Sequence, residues 1–134
     1  MNNTMLKRLA RYNQQRILQA WMLVALANGP LSPKERAILE LRCNTIMLPR
    51  EWIDRLCETP PSRENLDYSE VTQPEVSLTQ SVAYAISIAD GEGDSLKEQV
   101  YLWLCEELKI PEQRRLAMEK SVKSLFLSQE IKTS

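Results

Sequence analysis

Apolar residues recur along this chain at helical spacing and almost never alternate. Between Tyr12 and Ala27, the stripe Ile17, Trp21, Val24 and its neighbour Leu18, Met22, Ala25 repeat at i, i+4 and i+7 and predict a buried helix. Gly29-Pro30 should end it, because glycine tolerates a left-handed C-terminal residue and proline cannot continue the ladder. Ser32, Pro33 and Glu35 then have the spacing of a capping box, opening a second helix with the stripe Ile38, Leu41, Thr45. Pro49 breaks that helix, and "REWIDRLC" predicts a short third one with Trp52, Ile53 and Leu56 on one side. From Thr59 to Pro74 three prolines and a lack of periodicity predict a connector. The pattern resumes at Ser77 with Val82, Ala85, Ile86 and Ala89 inward, and stops at Gly91. An Asp94 cap precedes the stripe Leu96, Val100, Trp103, Leu104, Leu108, and Pro111 opens a last helix to about Leu127 with Met118, Val122, Leu125 and Phe126. Without a hairpin signal, the expected fold class is all-α.

Sliding the chain against itself by 62 residues lays "LANGPLSPKERAILELRCNTIMLP" over "IADGEGDSLKEQVYLWLCEELKIP" without a gap. Ala27 meets Ala89, Gly29 meets Gly91, Cys43 meets Cys105 and Pro49 meets Pro111. These matches fall where the backbone is most constrained, so the chain reads as two related three-helix units. The expectation is a single domain over residues 1–134, a compact helical bundle with unit one at about 5–58, a connector at 59–76 and unit two at 77–127.

Composition narrows the chemistry. Hydrophobic residues at 43% and charged residues at 26% suit a soluble globular chain, and only three glycines favours helices over loop-rich designs. No apolar run approaches the roughly 20 residues that cross a bilayer, and no signal-peptide cleavage pattern is seen, so a cytoplasmic protein is expected. Cys43, Cys57 and Cys105 lack metal-site spacing and lie in apolar segments, which predicts buried free thiols. The absence of histidine excludes Ser-His and Cys-His nucleophile pairs, the common zinc sites and imidazole acid-base chemistry. The net charge of −1 hides segregated blocks: a basic start (Lys7, Arg8, Arg11, Arg16), acidic stretches at 51–75 and 90–112, and a basic end. The acidic total argues against a nucleic-acid partner. The basic start could make peripheral contact with anionic lipid, or pair with the acidic connector. Trp21, Trp52 and Trp103 lie in apolar stripes and are assigned to packing rather than base stacking.

The corner "IADGEGD", between an apolar helix and a helix ending in "LKIP", resembles the tellurite-resistance TerB family and the TerB-like domain of some membrane-anchored DnaJ-type co-chaperones. The likeness centres on Ala89-Asp90-Gly91-Glu92 and spans nearly the whole chain. It implies a compact helical bundle in stress-response or membrane-proximal assemblies, with an acidic surface sometimes proposed to bind divalent metal. The chain departs from that pattern where the family often has further acids, at Leu96 and Lys97, and unit one carries Asn28, Pro30 and Ser32 in place of Asp90, Glu92 and Asp94.

Two readings of the corner therefore stand. Asp90, Glu92, Asp94 and Glu98 are candidate ligands for a weak divalent-cation site, since oxygens at alternate positions resemble the start of an EF-hand loop. The loop lacks its later ligands, because Ser95 and Tyr101 stand where the glycine and the bidentate glutamate belong. Alternatively the stretch is a helix corner, with Gly91 closing one helix, Asp94 capping the next and Glu92 near a helix N-terminus. The expected function is a non-enzymatic interaction or adaptor module with a protein partner and no cofactor. The alternative is a divalent-metal-responsive stress protein.

Overall fold

The computed structural model describes the backbone of residues 3–91 and 93–133 and the side chains of residues 12–64, 66–91 and 93–125. Among these the fold is all-α, with six helices and no strand: α1 Asn3–Ala25, α2 Pro33–Thr45, α3 Glu51–Glu58, α4 Gln73–Ile88, α5 Ser95–Glu107 and α6 Glu112–Thr133. A 3-10 turn, Arg63–Asn65, lies in the connector.

The central pair is α1 and α4. Ile17, Leu18, Ala20, Trp21, Met22, Val24 and Ala25 of α1 are all buried, so its second half is covered on nearly every side rather than along one stripe. Trp21 donates its indole N–H to the Thr79 carbonyl of α4 at 3.2 Å, which satisfies the one polar atom the ring brings inside. The most extensive packing joins α1 to α2, α3, α4 and α5, and α4 to α2, α5 and α6. That set of neighbours is unchanged when α1 and α4, α2 and α5, and α3 and α6 trade places.

The matched cysteines and prolines mark matching turns. At the end of α2, Met47 takes a left-handed φ of 59°, and Leu48 N–H reaches back to the Cys43 carbonyl at 3.0 Å. At the end of α5, Lys109 takes 57°, and Ile110 N–H reaches the Cys105 carbonyl at 3.0 Å. Each is a Schellman closure, with a proline just beyond it that stops the helix. The matched glycines likewise adopt positive φ, 121° at Gly29 and 112° at Gly91.

Several elements differ from the sequence reading. The first helix starts nine residues earlier than Tyr12, at Asn3. The fourth begins at Gln73 rather than Ser77, so the last residues of the expected connector are helical. The Glu75 carboxylate accepts from the Thr72 backbone N–H at 2.9 Å and its hydroxyl at 2.8 Å, and Pro74 is tolerated in the first turn. In α2 the inward positions are Glu35, Leu39 and Cys43, which leaves Leu41 60% exposed. In α5 Lys97, Val100, Tyr101, Leu104 and Cys105 face in, and Leu96 is 47% exposed. Leu125 of α6, expected in the core, is 65% exposed, and Phe126 lies outside the described side chains.

Gly29→Val and Gly91→Val should each destabilise the fold by about 1 kcal/mol or more, because a β-branched residue is forced to positive φ. Urea melts check this. A loss within about 0.5 kcal/mol would mean the backbone there relaxes without strain.

Candidate functional site

The corners α1–α2 and α4–α5 lie against each other. Asn28 donates through Nδ2 to Asp94 Oδ2 at 3.1 Å. One turn further on, the Lys97 ammonium in α5 meets the Glu35 carboxylate in α2. Glu35 is fully buried and Lys97 only 8% exposed. Both residues occupy the third position of their helices, and they stand at equivalent places in the 62-residue offset. Glu35 is doubly committed: its Oε1 accepts the Ser32 N–H at 2.8 Å, closing the capping box, while Oε2 takes the ammonium.

Asp94 acts as the cap the sequence implied. Its Oδ1 accepts the Lys97 N–H at 3.2 Å. That backbone hydrogen bond, helped by Asn28, holds the carboxyl below its ordinary pKa. Asp90 is exposed and shares with Asn28, Asp94 and Lys97 an open cleft of about 440 Å³. Glu98 is also exposed, but lines a second cavity of about 240 Å³ together with Asp94, Arg115 and Glu119. Glu92 lies outside the described residues. Among the described residues no three acidic or thiol side chains are grouped to hold a metal ion. Lys97 also brings a positive charge to the cleft, which opposes the entry of a second cation.

The second cavity borders a polar cluster that sequence reasoning missed. Tyr101 donates its hydroxyl to Glu119 Oε2 at 2.9 Å, and Gln80 Nε2 donates to the Tyr101 oxygen and to the Arg115 carbonyl, both at 3.2 Å. Arg115 completes it with a 2.6 Å ion pair to Glu119. Burial pushes the Tyr101 phenol far above its ordinary pKa, so it stays a donor at every physiological pH. The cluster fastens α6 to α4 and α5. Only the i, i+4 spacing of Arg115 and Glu119 signalled it in the sequence.

Nucleophilic chemistry finds little footing in these groups. Burial raises the thiols of Cys43 and Cys105 to about 11, so both are protonated at neutral pH. Ser87, which lines both cavities, spends its hydroxyl on the Tyr84 carbonyl at 2.6 Å. In the basic N-terminal segment Arg16 is buried, stacks on Tyr12 and donates to the Asp67 carbonyl, so it is withdrawn from any lipid-facing stripe. The side chains of Lys7, Arg8 and Arg11 lie outside the described residues. Among the described residues no helix is long and apolar enough to cross a membrane.

Comparison with known proteins matches no family model, no curated protein and no solved structure.

Two measurements follow from this geometry. Lys97→Met leaves Glu35 buried without its counter-charge, and Glu35→Gln strands the ammonium while keeping a side chain able to complete the capping box. Each should cost about 3 kcal/mol, and the double variant clearly less than the sum of the two. Additive losses in urea melts would mean that the two groups do not interact. For the corner, affinity no better than about 0.1 mM is expected for calcium. At about 1 mM calcium and constant ionic strength, that limits stabilisation to about 1.4 kcal/mol, a melting shift below about 6 °C. A larger shift that vanishes in Asp90→Asn with Asp94→Asn would establish a metal site, since asparagine preserves the cap.

Proposed function

We propose that this chain is a small non-enzymatic helical interaction module that binds a protein partner. It would work in the cytoplasm, in a stress-response or membrane-proximal assembly of the kind the TerB resemblance implies. The observation that carries the reading is a groove of about 230 Å³ lined by Ile38 and Leu41 of α2, Val82 and Ala85 of α4, and Val122 and Leu125 of α6. Two of its leucines are more exposed than covered, at 60% and 65%. Apolar side chains gathered at the surface favour burial against another molecule. The polar groups beside the two cavities support the same reading, because the Gln80, Tyr101, Arg115 and Glu119 side chains are committed to tying helices together.

Affinity capture of the intact chain from its own host, read by mass spectrometry against a tag-only control, tests the proposal. The expected result is a defined protein recovered repeatedly and in proportion to the bait. Recovery no different from the control would overturn it.

A further inference from the structure

We infer that the α2–α4–α6 groove is a docking site for an amphipathic helix with an apolar stripe and acidic flanks, supplied by the partner. The inference rests on the interaction-module reading and adds the site and the chemistry of its occupant. Both α2 and α6 pack on α4, leaving a strip of α4 with Ser81, Val82 and Ala85 as the floor of a trough between helices. A trough of that shape suits a further helix laid ridge into groove.

At the equivalent place on α1 and α5 the chain covers the corresponding indole itself. At the offset of 62, Leu41 corresponds to Trp103 and Leu125 to Arg63. The Arg63 guanidinium lies over the Trp103 ring at 5.0 Å, and Pro60 and Pro61 wall the neighbouring cavity against α1 and α5. In the α2–α4–α6 groove the two corresponding residues are leucines, which cannot cover each other by such a stack, and both remain open to water.

Charge selects the occupant. Arg42 is the only charged residue lining the groove among the described residues. Helical spacing adds Lys34 one turn before Ile38 on the same wall, α2. An apolar floor with a basic α2 wall attracts a helix whose leucines are flanked by carboxylates and repels one flanked by lysines.

The test uses the full chain and two labelled synthetic helical peptides of about 18 residues, five turns, with the same leucine stripe and either glutamate or lysine flanks. Fluorescence anisotropy should give about ten-fold tighter binding of the glutamate peptide, weakened at about 0.5 M salt. Leu41→Glu should abolish that binding, and Arg42→Glu should reverse the preference between peptides. Both residues are exposed, so both variants should fold; if Leu41→Glu fails to give the wild-type circular dichroism melt, Arg42→Glu carries the test alone. Equal binding of the two peptides, no binding at about 200 µM, or binding indifferent to Arg42→Glu would overturn the assignment. So would a wild-type dimer in sedimentation that Leu41→Glu dissociates, because the occupant would then be a second copy. A host partner still captured by the Leu41→Glu chain would remove the groove and leave the interaction module standing. Failure of capture by the wild type would remove both.

Discussion

The fold turns on one buried ion pair, Glu35 with Lys97. Neither charge can be left alone in the interior, because desolvation costs several kcal/mol per ion and only a close partner offsets it. The pair therefore constrains far more than two side chains. Glu35 must sit at the third position of α2 to complete its capping box, and Lys97 holds the same position in α5, so their contact brings two helix starts together. Once they meet, the corners that precede them meet as well, and Asn28 is delivered to Asp94. The apolar core supplies most of the stabilisation without direction; this contact supplies direction.

A second tie acts at the middle of α5. Tyr101, one turn beyond Lys97, reaches Glu119, which Arg115 also grips, while Gln80 donates to the same hydroxyl from α4. Three helices meet at the Tyr101 hydroxyl, and removing the Glu119 carboxylate would take away the acceptor of that hydroxyl and the ion partner of Arg115. Both ties use charged groups next to apolar surface, where a hydrogen bond is electrostatically stronger than in water. They leave the neighbouring cavities with few uncommitted polar groups. The surface beside these ties then presents the exposed carboxylates of the corner and the leucines around α4.

How much of this was legible in the sequence depends on which physical signal each part used. Caps were legible, because Ser32, Glu35 and Asp94 act through bonds that span only three residues. Thr72 and Glu75 used the same spacing, but their prolines and polar neighbours read as connector, so the true start of α4 was lost. Facing was harder. Ile38 and Leu41 look like core on apolar character alone, and only tertiary packing turns α2 so that Glu35, Leu39 and Cys43 point inward. A charged residue buried by a partner 62 residues away has no local signature, and Lys97 stood out in the sequence only as a departure from an acidic pattern. The candidate ligands fared according to geometry: Asp94 serves as a cap, while Asp90 and Glu98 line different cavities.

The correspondences between the halves make their differences informative. Both use the same helix closures at Met47 and Lys109, and the same positive-φ glycines. Where the chain departs from its own pattern after α3, the cause is local, because Pro60 and Pro61 stand where α6 has Val122 and Lys123. After α3 the chain leaves the bundle through Pro60 and Pro61, and Arg63 settles on Trp103. After the corresponding point in α6 the helix simply continues, and Leu125 faces Leu41 across an open trough. An arginine on an indole is a self-sufficient surface contact, because the cation keeps its water while covering the ring. Two leucines at the same places hold no such compromise. Their exposure costs free energy in the isolated chain that an apolar surface laid over them would return.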